Sequence, residues 1–175
     1  DAEDKVVAAM LWPHTSLPEV QVLDRVKQMS SEEKVGVVRA YAGDRSNRRH
    51  KPGRALERWA YRFDVLSDYG ASRDLQRHRM LTIQWQGLSP RHGYVMADDL
   101  VAAEAAGGFE EAMACSAALH DALEPQFPAQ ASYAVSLAYR LRYSMELNAR
   151  AALHMLELRT SPAGPMNLVF CSAAR

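Results

Sequence analysis

The chain has 175 residues, enough for one domain with a buried core, and its 48% apolar and 24% charged residues are ordinary for a globular protein. Twenty-one Lys and Arg balance 21 Asp and Glu, so no bulk charge draws it to nucleic acid or to a membrane surface. No apolar run reaches the roughly 18 to 20 residues of a membrane span, and no signal-peptide pattern opens the chain.

In chain order, Val6 to Leu11 is a short apolar run, strand or tight helix, ended by Trp12-Pro13. Leu17 to Met29 places Val20, Leu23, Val26 and Met29 at helical spacing. Ser30 and Glu33 form a capping-box pattern that starts a helix through about Tyr41. Gly43 to Gly53 reads as a polar, basic loop. Trp59, Tyr61, Phe63 and Val65 alternate with charged residues and predict a half-buried strand. Gly70 breaks the chain before a short helix over 71–76, and Leu81, Ile83 and Trp85 predict a second strand. From Ala97 onward the chain reads as helical, interrupted near Gly107-Gly108 and Phe127-Pro128, with a last helix over about 131–159. Thr160 to Pro165 terminates it. The class is α+β, strands early and helices late, with a mostly antiparallel sheet flanked by helices.

Residues 1–175 are expected to be a single domain, and the start without Met also fits a fragment or one domain of a longer chain. Cys115 and Cys171 have neither framework nor metal-ligand spacing, so a reducing, cytoplasmic setting is the simplest expectation.

Two constellations carry chemistry. Arg77-His78-Arg79 leads through an alternating apolar segment into Ser89-Pro90-Arg91. Guanidinium forks offer planar, permanently charged donors to phosphate oxygens, which points to a phosphorylated, nucleotide-like ligand. The second set is Asn148, Arg150, His154 and Arg159 on one expected helix. At about 100° per residue, Asn148 and Arg159 project within roughly 20° of each other, Arg150 and His154 share another face, and Leu147, Ala151, Met155 and Leu158 form the apolar stripe. The pair His154 and Glu157 is too sparse to predict a metal. Between them in interest lies the basic run Arg45, Arg48, Arg49, Lys51, Arg54, Arg58 and Arg62, set against the single acid Glu57. It reads as a solvated loop or as a phosphate-facing surface.

Taken in order, the two motifs resemble those of the flavin-dependent thymidylate synthases, which carry Arg-His-Arg, a spacer and Ser-x-Arg, then a late Asn-x-Arg helix ending in Arg. His50, Pro52 and Glu57 approximate the family's upstream segment, so the resemblance covers roughly residues 45–160. It implies methylation at C5 of a uracil nucleotide (dUMP, UMP or a modified pyrimidine), with methylenetetrahydrofolate as carbon source, NADPH as reductant and FAD between them. By that resemblance, Arg77, His78, Arg79, Asn148, Arg150 and His154 hold FAD, with His154 in place of the usual Asn. Gln76, Ser89 and Arg91 contact the nucleotide, and Arg159 sits against the pyrimidine edge as the catalytic charge-stabiliser. The resemblance also implies a homotetramer whose sites are shared between subunits. No cysteine nucleophile is needed on this route, and neither cysteine has a nucleophile-like context.

The sequence departs from the family at four points. The spacer between Arg79 and Ser89 is longer, and Trp85 stands where an acid is expected. Ser132 occupies the place of a phosphate-binding Arg, leaving Arg140 or Arg142 to compensate. The chain also ends soon after Pro165. A binding member without turnover, serving assembly or regulation, is therefore the alternative. An RNA-binding module using the Arg45 to Arg62 run is disfavoured by the zero net charge.

Overall fold

A computed structural model describes residues 1–159. The expected terminator at Thr160 to Pro165 and Cys171 lie outside the described residues. The chain divides into two compact units, one of Asp1–Arg62 with the segment that starts at Glu146, the other of Phe63–Met145.

The first unit opens with three helices, α1 (Ala2–Leu11), α2 (Glu19–Gln28) and α3 (Ser31–Ala42). The apolar run at Val6 is thus a helix. Its Val7 and Ala8 pack with Val22 and Val26 of α2 into one core cluster, backed by Leu11, Leu23 and Val37. The capping box at Ser30 and Glu33 forms as predicted, with both reciprocal hydrogen bonds. Lys34 of α3 donates to Asp4 of α1 at 2.6 Å, an ion pair with little solvent access. A 3-10 turn over Arg54–Arg58 then leads into the sheet.

The sheet has three strands, β1 (Ala60–Asp68), β2 (Thr82–Trp85) and β3 (Arg140–Asn148), in the order β1-β3-β2. β1 and β3 are antiparallel, since Tyr69 N–H donates to Tyr139 and Ala149 N–H to Trp59 at the two ends of the ladder. The α+β class is borne out, but the order of elements is not. The helix expected over 131–159 is replaced, over Arg140–Asn148, by the central strand, and only Ala149–Arg159 is helical as α8. Leu141, Tyr143, Met145 and Leu147 are buried, while Arg140, Arg142 and Glu146 are exposed. That is a period of two, which only a strand satisfies. Leu, Met, Glu and Arg are good helix formers, so the composition hides the strand and pairing with β1 and β2 overrides it.

In the second unit α4 (Tyr69–Leu75) follows β1 directly, capped by the Asp68 carboxylate accepting from Ala71 N–H at 2.7 Å. Leu75 is fully buried and fixes the end of this helix. After β2 come α5 (Asp98–Ala102), α6 (Ala106–Leu123) and α7 (Pro128–Ala131). The break expected at Gly107-Gly108 does not occur, and both glycines lie inside the first turns of α6. The break at Phe127-Pro128 does. Met113 of α6 packs with Val135 and Tyr139, and the Tyr139 hydroxyl donates to the Met113 carbonyl. No helix among the described residues is long and apolar enough to cross a membrane.

Candidate functional site

The predicted site residues fall in both units. In the second unit, Gln76 to Arg79 continue off the C-terminal end of α4 in helical turns, with Arg77 N–H bonded to Asp74 and His78 N–H to Leu75. Cations are favoured at that end of a helix. Arg77 is widely exposed and reaches Asp74 at 3.5 Å. Arg79 is exposed too, with no ion pair among the described residues. Arg73, one turn earlier, lies 6.0 Å from the Tyr69 ring centroid.

Ser89 has extended backbone and starts a 3-10 turn, Pro90–His92, closed by Gly93 at φ +69. That left-handed turn needs glycine. Arg91 on it donates to Glu124, just past α6, at 2.6 Å. Trp85, at the end of β2, is 55% exposed and therefore presents its ring rather than packing it. The compensating arginines are now distinguished. Arg142 is held by both carboxylate oxygens of Asp64, with Nε at 2.9 Å from Oδ1, which keeps the Asp64 carboxyl below its ordinary range. Arg140 is exposed and carries no ion pair among the described residues. Ser132 donates to the Ala129 carbonyl.

In the first unit the geometric reading of one helix is corrected. Asn148 is the last residue of β3, so it shares no helical face with Arg159. Its Oδ1 instead accepts from Ala151 N–H at 2.8 Å, capping α8. Arg150 turns onto the preceding loop, donating through Nε to the Pro52 carbonyl at 3.0 Å and through Nη1 to Glu57 at 2.8 Å. Glu57 also accepts from Arg54 at 3.2 Å. The Arg54 hydrogen bond foremost, then Arg150, holds the Glu57 carboxyl below its ordinary range against partial burial. One helical turn or two further on, Glu157 accepts from Arg45 at 2.7 Å. His154 is exposed and Arg159 half-buried.

These contacts bolt the basic loop to α8. Tyr41 completes the anchoring. Its hydroxyl accepts from Ala55 N–H at 2.9 Å, and a Cβ at Gly53 would lie 2.1 Å from the Tyr41 oxygen, so a side chain there would push the Tyr41 ring out of this position. Sequence reasoning missed Glu157 and Glu124 as partners, and it saw Glu57 as the single acid of the basic run and as part of the family-like upstream segment but not as the partner of Arg150. Their arginines lie up to 112 residues away in sequence, a separation that spacing alone does not signal.

His120, Asp121 and Glu124 bring ligand atoms within 4.8 Å of one another. The Glu124 carboxylate is already engaged by Arg91, and Glu157 of the His154 pair by Arg45.

Comparison with solved structures places this arrangement in a known class of fold. Over 95% of this chain and 84% of the other, it is similar to the flavin dependent thymidylate synthase ThyX of Helicobacter pylori complexed with FAD and dUMP, with TM-score 0.63 and 17% identity. It is also similar to the UMP/dUMP methylase PolB of Streptomyces cacaoi bound with 5-Br dUMP, with TM-score 0.65 and 17% identity over 92% of this chain and 76% of that one. At such identities the likeness establishes the fold. The chain belongs to the thymidylate synthase complementing protein family, whose profile matches residues 1–167. Curated relatives are UPF0159 proteins. Those of Chlamydia pneumoniae and Thermoplasma acidophilum are 38% and 31% identical, over 93% and 94% of this chain but only 31% and 33% of their own lengths. The chain thus spans about a third of the relatives it matches.

Proposed function

We propose that this chain works in flavin-dependent methylation at C5 of a uracil nucleotide, dUMP or UMP, with methylenetetrahydrofolate giving the carbon and NADPH the electrons. The observation that carries this reading is the ordered pair of arginine motifs, Arg77-His78-Arg79 with Ser89-Pro90-Arg91 and Asn148-Ala149-Arg150 with Arg159, in a member of this family. The donor set suits FAD. Arg77 and Arg79 expose guanidinium groups at the end of α4, the chemistry a pyrophosphate calls for. Asn148, Arg150 and His154 would complete the flavin site, and FAD, when bound, supplies the redox relay. Gln76, Ser89 and Arg91 would orient the nucleotide. Arg159 would stabilise negative charge developing on the pyrimidine, raising the nucleophilicity of C5 with no cysteine adduct. Complete sites would form between subunits of a homotetramer.

A second reading has its own support. Arg150 is turned onto Pro52 and Glu57, Arg91 onto Glu124 and Arg77 onto Asp74, so these ligand arginines already have protein partners. The chain would then bind flavin or nucleotide without turnover, within a longer protein.

The test is the absorbance spectrum of the purified protein after reconstitution with FAD and gel filtration, followed by tritium release from C5-labelled dUMP and UMP. Retained flavin bands with tritium release support methylation, and Arg159→Ala is expected to abolish the release. Retained flavin without release from either nucleotide moves the assignment to the second reading. Failure to retain FAD overturns the first reading, and failure to bind dUMP or UMP as well overturns the second.

A further inference from the structure

The basic loop contains three cations that the bolts to α8 leave over. Arg45 is paired with Glu157, Arg54 with Glu57 and Arg58 with Glu19. Arg48, Arg49 and Lys51 are exposed and have no ion pair among the described residues. They sit on a tight turn organised from within. His50 N–H bonds to the Asn47 carbonyl at 3.1 Å, Arg49 N–H to Asn47 Oδ1 at 2.9 Å and Lys51 N–H to the Arg49 carbonyl at 3.0 Å. Arg45 donates to the His50 carbonyl from outside the turn. The turn is therefore held at its base by an arginine that is itself fixed to α8, while its three outward side chains go uncompensated.

We propose that Arg48, Arg49 and Lys51 form a binding site for the terminal phosphomonoester of a small coenzyme. Three cations on four residues of a pinned turn match a dianion, whose charge near neutrality is about −1.5 to −2, better than the single charge of a diester. Two of the three are arginines, whose forks suit phosphate oxygens. An extended polyanion is disfavoured, because the chain as a whole carries no net charge and affinity for such a ligand scales with the phosphates neutralised. FAD has a pyrophosphate but no terminal monoester, so this site is separate from the flavin site of the proposed function. The inference rests on that reading only for its choice of ligand, the 2′-phosphate of NADPH, since the uracil nucleotide is proposed to meet Gln76, Ser89 and Arg91.

The experiment compares the FAD-loaded protein with its Arg48→Ala, Arg49→Ala, Lys51→Ala triple variant, by calorimetric titration with 2′,5′-ADP, 5′-AMP and dUMP. All three side chains are exposed, so the variant is expected to fold and to keep its flavin content. At least tenfold weaker binding of 2′,5′-ADP, with 5′-AMP unchanged, assigns the site to the reduced coenzyme. The same loss for dUMP overturns it in favour of the uracil nucleotide and unseats Arg91 as that nucleotide's contact. Binding of 2′,5′-ADP within twofold of wild type overturns the proposal. Loss of flavin along with the monoester overturns it as a separate site. Tighter capture of a single-stranded oligonucleotide than of either monoester, abolished in the variant, overturns it in favour of nucleic acid. A protein that takes up no FAD but discriminates 2′,5′-ADP from 5′-AMP through these residues would sink the flavin reading and leave this one standing.

Discussion

On the proposed function, a phosphate arriving at Arg91 would meet a carboxylate that is already there. Glu124 accepts from Nη2 alone, and both side chains have solvent access, so the pair is weak in itself and exchange for a dianion is feasible. Once the phosphate arrives, the carboxylate beside it repels it. Glu124→Gln is therefore expected to tighten dUMP binding about threefold, the effect of removing one screened charge, and to leave deoxyuridine binding unchanged. Equal tightening for nucleoside and nucleotide would show that Arg91 does not meet the phosphate. Asn148 offers a second separation of roles, since its Oδ1 caps α8. Asn148→Ala is expected to cost about 1 kcal/mol in urea denaturation, whereas Asn148→Asp keeps the cap and that stability. If both variants lose flavin, the amide nitrogen of Asn148 is a ligand. If only the alanine variant does, its role is to hold α8. The motif residues were legible because their spacing is local. Glu57, Glu124 and Glu157 were not legible as partners, because an ion pair over a long sequence separation leaves no periodic trace.

Local signals were read with mixed success, since the break at Phe127-Pro128 holds and that at Gly107-Gly108 does not, and the strand that depends on distant pairing was missed. Ser30 and Glu33 announce α3 within four residues, whereas Gly70, read as a break before the helix, lies inside the first turn of α4, which starts at Tyr69. β3 consists of Arg140-Leu-Arg-Tyr-Ser-Met-Glu-Leu-Asn148, where strict alternation was present but helix-favouring residues dominated. The alternation was the better guide, because burial depends on which side a residue faces and not on its propensity. Misreading this strand also carried Asn148 onto a helix it only caps. As the middle strand, β3 presents Tyr143, Met145 and Leu147 to the core, each nearly inaccessible. Met145→Ala is expected to lower stability by about 3 kcal/mol, the usual range for a buried methionine, measured as a shift of the urea midpoint. A loss below about 1 kcal/mol would mean that this face is not core. The Tyr143 hydroxyl, 3.2 Å from Ser67 Oγ, is held protonated by burial, which pushes it above its ordinary value. It serves the core and not acid–base chemistry.

Among the described residues several carboxyls are held by cations or backbone donors, and that fixes how stability responds to pH. Asp4, Glu33, Glu57 and Asp64 are all held below the ordinary carboxylate range, by Lys34, the Ser30 backbone, Arg54 and Arg142 respectively as the leading cause. A carboxyl whose value is lower folded than unfolded contributes its full stabilisation above about pH 4, the unfolded range, and loses it as pH falls through the folded value. Acid therefore unfolds this chain by protonating its bolts. Among them Asp4 is the most decisive test, because its partner Lys34 has only 14% side-chain exposure and no other ion pair among the described residues. Asp4→Asn leaves that ammonium half of a buried pair without its counter-charge, which destabilises at pH 7. As pH falls below about 4, wild-type Asp4 takes up its own proton and loses the same interaction. The gap between the two thermal midpoints should then close from the wild-type side. Salt should narrow the gap much less than it narrows that between wild type and Asp64→Asn, because both partners of the Asp64 pair face solvent. A gap for Asp4→Asn that stayed constant from pH 7 to about 3 would show that the helix contact depends on packing around Asp4 rather than on its charge.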